Sequence, residues 1–206
     1  MSRTAKQAHR NIALFIGIFL LIHFAAHFSA ISGVEEQAAA MNWGRALYQW
    51  PIVEAALVLA LLAQVLLGLR VLRGIHARKR KDWWHKVQFA SGCYLALFIV
   101  LHTTAALSTR MLIGLDTNFY WAAGTLVLAP LKYGFAPYYF LAVTALFSHF
   151  LAAQHFRGSR LWHSPALILG PVAGLAIMAA YSGALYAIEL PQPYRVYFGS
   201  FPGVAS

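Results

Sequence analysis

Five runs of predominantly apolar residues divide the chain, and polar and charged residues collect in the gaps between them. The runs extend from about Asn11 to Gly33, Pro51 to Leu72, Val87 to Ser108, Ala136 to His155 and Pro165 to Ile188. A helix rises about 1.5 Å per residue, so each run of about 20 residues is long enough to cross a hydrocarbon core. The pattern predicts an all-α, five-helix transmembrane bundle forming one domain over residues 1–206. Pro51 suits a first turn, whose amides lack helical partners anyway, and Ser164 before Pro165 reads as a cap followed by a compatible first residue. The third gap, Thr109 to Phe135, holds an apolar aromatic piece from Phe119 to Leu131 that is too short to cross. It reads as an interfacial or re-entrant segment, and the tail from Pro191 onward as an irregular cap.

Composition agrees with lipid as the main solvent. Of 206 residues 60% are apolar and 11% charged, against roughly 25% charged in a soluble domain. The net charge of +10 would fit nucleic acid, but its distribution argues against that partner. Arg3, Lys6 and Arg10 precede the first run; Arg70, Arg73, Arg78, Lys79, Arg80, Lys81 and Lys86 surround the second gap; Arg157 and Arg160 occupy the fourth. Only Arg45, Arg110, Lys132 and Arg195 fall on the other side. This positive-inside bias places the N-terminus in the cytoplasm and the C-terminus outside, as expected for a bacterial inner membrane. Trp43, Tyr48, Trp50, Tyr120 and Trp121 on the outer side, and Trp83 and Trp84 on the inner, suit aromatic belts. The lone Cys93 lies within the third run, so neither a disulfide framework nor a thiolate metal cluster is available. The first run follows basic residues as a signal peptide does, but it is too long and carries two histidines, so it is read as retained.

Polar side chains at mid-membrane depth are costly, and each is a site hypothesis by default. They are His23, His27, Gln64, His102 and His149, with no carboxylate among them. Counted from the run boundaries, His27 comes about 24 Å along its helix and His102 about 22 Å, with His23 at about 18 Å. Gln64 and His149 each come about 20 Å in from the other side. Two levels emerge, an outer one with histidine on the first and third spans and an inner one with Gln64 and His149. Histidines from separate helices at one depth suit axial ligation of haem iron better than zinc or calcium. The plain alternative for each is a hydrogen bond to a neighbouring helix. His23 and His27, four residues apart, share a face, so one can ligate while the other holds a propionate or a quinone. His149 is open to ligation, quinone contact or packing. His9, His76, His85, His155 and His163 read as solvated at the inner interface, although His85 or Arg70 can meet a haem propionate. Gly68, Gly92, Gly170, Gly174 and Gly183 let backbones or a planar ligand approach closely, simple helix packing being the usual reason.

These residues resemble a family. The first span reads Gly17-Ile18-Phe19-Leu20-Leu21-Ile22-His23; the second carries Pro51, Glu54, Gln64 and Gly68; Gly92 precedes His102 in the third; the fourth has Phe147-Ser148-His149. The pattern is similar to the five-helix cytochrome b subunit that anchors succinate dehydrogenase and fumarate reductase, from Asn11 to His155. The resemblance implies four histidines, one on each of the first four helices, holding two stacked haems b beside quinone. Carried over by position, the ligands fall on His23 (with His27 its rival), His102 and His149. The second-helix position holds Gln64, which leaves the inner pair incomplete.

The expected function is therefore electron transfer, not bond-making, between a soluble iron-sulfur or flavoprotein partner and quinone. The basic surface from Arg70 to Lys86 would form the dock. Two alternatives stay open: a b-type cytochrome working without a dehydrogenase, and a haem-free transporter or accessory subunit. Glu54, near the outer surface, is a candidate proton relay or simply a solvated residue at a helix N-terminus.

Overall fold

The computed structural model describes residues 3–77, 82–158 and 163–204. Arg78, Lys79, Arg80, Lys81 and Arg160, which contribute to the charge bias, lie outside the described residues, as do the side chains of Arg3, His163 and the expected cap Ser164. Among the described residues the chain forms helices and no strand: α1 (Arg3–Ser29), α2 (Val34–Tyr48), α3 (Pro51–His76), α4 (Trp83–Ser108), α5 (Phe119–Val127), α6 (Leu131–His155), α7 (His163–Ala166), α8 (Leu169–Tyr181) and α9 (Gln192–Gly199). A π turn, Thr109–Ile113, prolongs α4 and closes on Gly114 in the left-handed conformation, which glycine adopts without a Cβ penalty. Asp82 caps α4 by accepting from the His85 amide at 2.8 Å, and Asn118 caps α5 by accepting from the Tyr120 amide at 3.0 Å.

Four helices are long and apolar enough to cross a membrane: α1, α3, α4 with its π turn, and α6. Their outward faces are apolar. Leu21 is 75% exposed, Ile52 68% and Leu59 65%, whereas Gln37, Ser91, Thr109 and Thr125 are buried. A protein folded against water would reverse that order; lipid is the solvent that makes it favourable. The expected fifth span is divided. One turn, α7, precedes the 13-residue α8, whose length is about 20 Å. Pro171 supplies no amide to Leu167 and its ring crowds that carbonyl, which accounts for the break at residues 167–168. Gly183, at φ +82°, ends the helical stretch well before Ile188.

Neighbours follow in the order α1, α3, α4, α6, α8, with α2 laid along α1. Between α1 and the α4/α6 pair the described residues show no comparable run of close backbone approach. Side chains, among them Phe24 and Phe147 at a 6.3 Å ring separation, bridge that interior. Gly170 brings α8 against α6, since a Cβ there would stand 3.0 Å from the Thr144 Cα. At one end of the bundle α2, α5 and α9 build a cap. Phe119, Ala123, Leu126, Ala30, Ala180 and Tyr181 form one buried cluster there, and Trp121, Tyr194 and Phe198 another. Ion pairs Arg45–Asp116 (2.8 Å) and Arg110–Glu54 tie α2 to the loop before α5 and the π turn of α4 to the start of α3. Glu54 is thus engaged by Arg110.

Two more elements lie outside the apolar runs. The first gap is largely helical, because α2 is too charged to cross yet presents Gln37 and Gly44 to the interior, with Gly44 against Ile22 of α1. The tail is not irregular throughout, since α9 buries Tyr194 and Phe198.

Candidate functional site

His23 and His27 sit one turn apart on the inward face of α1, and His102 faces them from α4. The His23 and His102 rings are 6.3 Å apart between centroids, at 71°. The Nε2 atoms of His23 and His27 are hydrogen-bonded at 3.2 Å, and Nδ1 of His27 meets the Tyr181 hydroxyl of α8 at 2.9 Å. Gln37, fully buried on α2, lies beside that hydroxyl, and neither end of its amide holds a conventional hydrogen bond. Every member from His23 to Tyr181 can both donate and accept, so the chain can pass a proton by reorienting.

Aromatic rings surround the cluster. Phe98 stacks on His102 at 5.0 Å and 11°, and Phe19 on His23 at 5.2 Å. Beside His102 the bundle encloses a cavity of about 130 Å³ walled by Trp121, Phe135, Tyr139, Tyr197 and Phe198. That space is close to the size of a cavity that admits one benzene ring.

Helix boundaries change the depth reckoned for the two α1 histidines. The sequence reading measures depth from Asn11 and Val87 and favours His27, but the helices begin at Arg3 and Trp83. From those starts His23 comes about 30 Å along, His102 about 28 Å and His27 about 36 Å. His23 is therefore level with His102, and His27 lies a turn beyond, turned toward Tyr181.

The expected inner level also changes. Gln64 is twelve residues from the inner end of α3 and His149 six from that of α6, which separates them by about 9 Å in depth. Gln64 meets His9 of α1 instead, with its Nε2 3.1 Å from the His9 Nε2. His149 Nδ1 lies 3.1 Å from the Ser91 hydroxyl of α4. His9, expected to be solvated, is half-buried against α3. His85 is engaged by Asp82 at 2.7 Å and packs on Phe156, His155 stacks on Trp84 at 4.5 Å, and Arg70 is exposed toward the inner end of α3. Neither His85 nor Arg70 joins the outer cluster.

Haem fits the outer donor set. Two metal–imidazole bonds of about 2 Å, each extended by roughly 1 Å from nitrogen to ring centre, place two axial rings about 6 Å apart. His23 and His102 meet that spacing, from helices without close backbone contact. Among the described residues no three His, Cys, Asp or Glu side chains converge as a compact metal-ion site would require. The fold and cluster define a helical membrane protein with histidines gathered in its interior. No protein-family model, curated protein or solved structure matches the chain.

Proposed function

We propose that this protein is a haem b-binding membrane subunit of a quinone-linked oxidoreductase, of the kind that anchors succinate dehydrogenase or fumarate reductase. The observation that carries the reading is the 6.3 Å separation of the His23 and His102 rings, held by two helices that otherwise keep apart. His23 and His102 would hold the haem iron, and His27 would support His23 from the neighbouring turn. Haem b bound there supplies one-electron transfer. The aromatic cavity beside His102 takes the quinone ring, and the chain from His23 through His27 to Tyr181 offers the proton exchange that quinone chemistry needs.

The topology belongs to the same proposal. With the basic residues inside, α1, α3, α4 and α6 cross in alternation. The broken pair α7 and α8 makes a fifth crossing, which leaves the N-terminus cytoplasmic and α5 and α9 on the outer face of a bacterial inner membrane. The basic inner edge, Arg70, Arg73 and Lys86 among it, receives a soluble iron-sulfur or flavoprotein partner.

Dithionite-reduced minus oxidised spectra of the purified chain test the reading, together with haem content. Sharp b-type bands are expected, lost from the outer site in His102→Ala and His23→Ala and retained in His27→Ala. Protein without such bands would reject the cytochrome reading in favour of a haem-free transporter or accessory subunit. Co-purification of flavoprotein and iron-sulfur subunits separates a dehydrogenase anchor from a cytochrome that works alone.

A further inference from the structure

The cap helix α2 buries two residues, Gln37 and Gly44. Gly44 admits Ile22 of α1, whereas packing gives no reason for a polar side chain at Gln37. That side chain is completely buried beside the Tyr181 hydroxyl, and neither its Oε1 nor its Nε2 meets a partner at hydrogen-bond geometry. A buried polar group left unmatched costs about 1–3 kcal/mol, which an apolar side chain of similar size would avoid. An amide offers donors at one end and an acceptor at the other. With both ends buried and unmatched, it has the chemistry that holds a buried water, which makes about three hydrogen bonds to groups of this kind.

On one side Gln37 adjoins the histidine cluster. The Nε2 atoms of His23 and His27 are 3.2 Å apart, and the His27 Nδ1 is 2.9 Å from the Tyr181 hydroxyl. On the other side it adjoins the surface. Glu36, the preceding residue, is exposed, and its carboxylate folds back over Gly33, where any side chain would overlap it. Tyr186 stands near enough to Glu36 to feel its charge, and its hydroxyl donates to the Ala30 carbonyl at 2.6 Å, in the same turn between α1 and α2. Phe119, stacked on Tyr181 at 4.7 Å and 6.4 Å from the Tyr186 ring, closes the flank with an apolar wall. A glutamate in a first turn is ordinarily explained by the helix dipole, and Glu35 beside it meets that need equally. The fold-back over Gly33 is what sets Glu36 apart.

We propose that Gln37 holds a bound water which continues the path His23–His27–Tyr181 to Glu36, so that protons enter and leave the histidine cluster through the cap. The proposal deepens the proton exchange assigned to the outer site and rests on that reading for its use, while its geometry does not depend on haem. Inward, the water gives a proton to the Tyr181 oxygen as the Tyr181 hydroxyl gives its own to the His27 Nδ1. Glu36 then restores the water's proton from solvent, and no electron moves. Gln37 keeps its own protons and is a positioning residue.

The test reads how fast the ring N–H of His27 exchanges with water, by NMR of the full histidine-labelled chain in detergent, chemically reduced so that any haem is diamagnetic. His27→Gln identifies the resonance. Gln37→Leu and Tyr181→Phe should each slow the exchange by about tenfold, the factor set by loss of one well-made hydrogen bond. Gln37→Glu, which keeps an oxygen for the water, should stay near the wild-type rate, and Glu36→Gln should slow it to a smaller degree. Gln64→Leu, on α3 against His9, should leave it unchanged. The sign separates a route from packing, because a glutamine that only held the cap together would, on removal, loosen it and speed the exchange. A Gln37→Leu rate at or above that of the wild type overturns the proposal, as does equal slowing in Gln64→Leu. Slowed exchange in protein without b-type bands would uphold the route and end the cytochrome reading. Full haem with unchanged exchange in Gln37→Leu would end the route and leave the cytochrome reading standing.

Discussion

At the outer level His23, His27 and His102 are held by one another, by Tyr181 and by stacked aromatic rings, whereas at the inner level His9 and His149 each rest on one polar side chain of a neighbouring helix. The outer group lies under a cap in which Phe119, Tyr181 and Phe198 are almost fully buried. Among the described residues the inner group is surrounded by the charged ends of α3, α4 and α6, where Arg70, Lys86 and Arg157 are exposed. An apolar, well-packed surround lets several polar groups support each other, so the loss of any one is shared. A single hydrogen bond leaves orientation dependent on one partner. The comparison predicts a rigid, redundant outer site and an inner site sensitive to individual substitutions.

The largest test of outer rigidity is Gly124→Leu. Gly124 on α5 faces the Phe198 ring of α9, and any side chain there overlaps it. Overpacking of this kind costs about 1–3 kcal/mol. Thermal unfolding in detergent should show a drop of several degrees, with loss of near-UV signal from the Trp121, Tyr194 and Phe198 cluster. An unchanged transition would mean that the cap does not carry the stability of the outer half. Ser91→Ala tests the inner side. It removes the acceptor that orients His149 while leaving the ring in place. Loss of one such hydrogen bond costs about 0.5–1.5 kcal/mol, so thermal unfolding in detergent should show a smaller drop than Gly124→Leu, and an unchanged transition would mean that Ser91 does not hold His149 in place.

The membrane character and four crossing helices are legible in the sequence because each of those runs is apolar for about 20 residues without a break. The fifth run is equally apolar, but Pro171 and Gly183 act through the backbone, which a hydropathy count does not register. The charge of Glu35, Glu36 and Arg45 hides α2, whose helical period shows only in what it buries, Gln37 and Gly44. Among the site residues, His102 and His149 stand out because neutral polar groups in long apolar runs are conspicuous. On α1 the helix begins eight residues before its apolar run, so a depth counted from that run misses that His23 is the histidine whose ring lies 6.3 Å from that of His102. His9 lies among Lys6, Arg10 and Gln7 and reads as solvated; only the approach to Gly68 reveals it as an interior group.

Tyr181→Phe sharpens the contrast on the outer side. Among the described residues the hydroxyl is the one hydrogen bond from α8 to the histidine cluster, at 2.9 Å to His27. Its removal should cost about 0.5–1.5 kcal/mol, the net worth of a typical hydrogen bond. Outer haem should remain at full occupancy because His23 and His102 are untouched, and the proton exchange of that site should slow. Loss of haem in this variant would show that His27 is the ligand and that the outer site lacks the redundancy claimed for it.

The smallest effect concerns Asp82, at the inner edge where α4 begins. The backbone N–H of His85 donates to its carboxylate, and that bond, aided by the His85 side chain, holds the carboxyl below its ordinary 3.8. A carboxyl that titrates lower when folded stabilises the fold above its unfolded value, and the contribution disappears as pH falls through the folded value. Asp82→Ala should therefore lower stability at neutral pH by about the 0.5–1 kcal/mol of an exposed N-cap. The difference from the wild type should vanish on acidification below the usual carboxylate range. The position is solvent-exposed, so salt screening should trim the charged part of the effect. Because this cap fixes the first turn of α4, two turns before Ser91, the variant also asks whether the inner histidine feels fraying at the helix end. If the stability cost of Ser91→Ala changes in an Asp82→Ala background, the inner histidine is coupled to the helix end; if the two costs add, Ser91 alone isolates His149 from it.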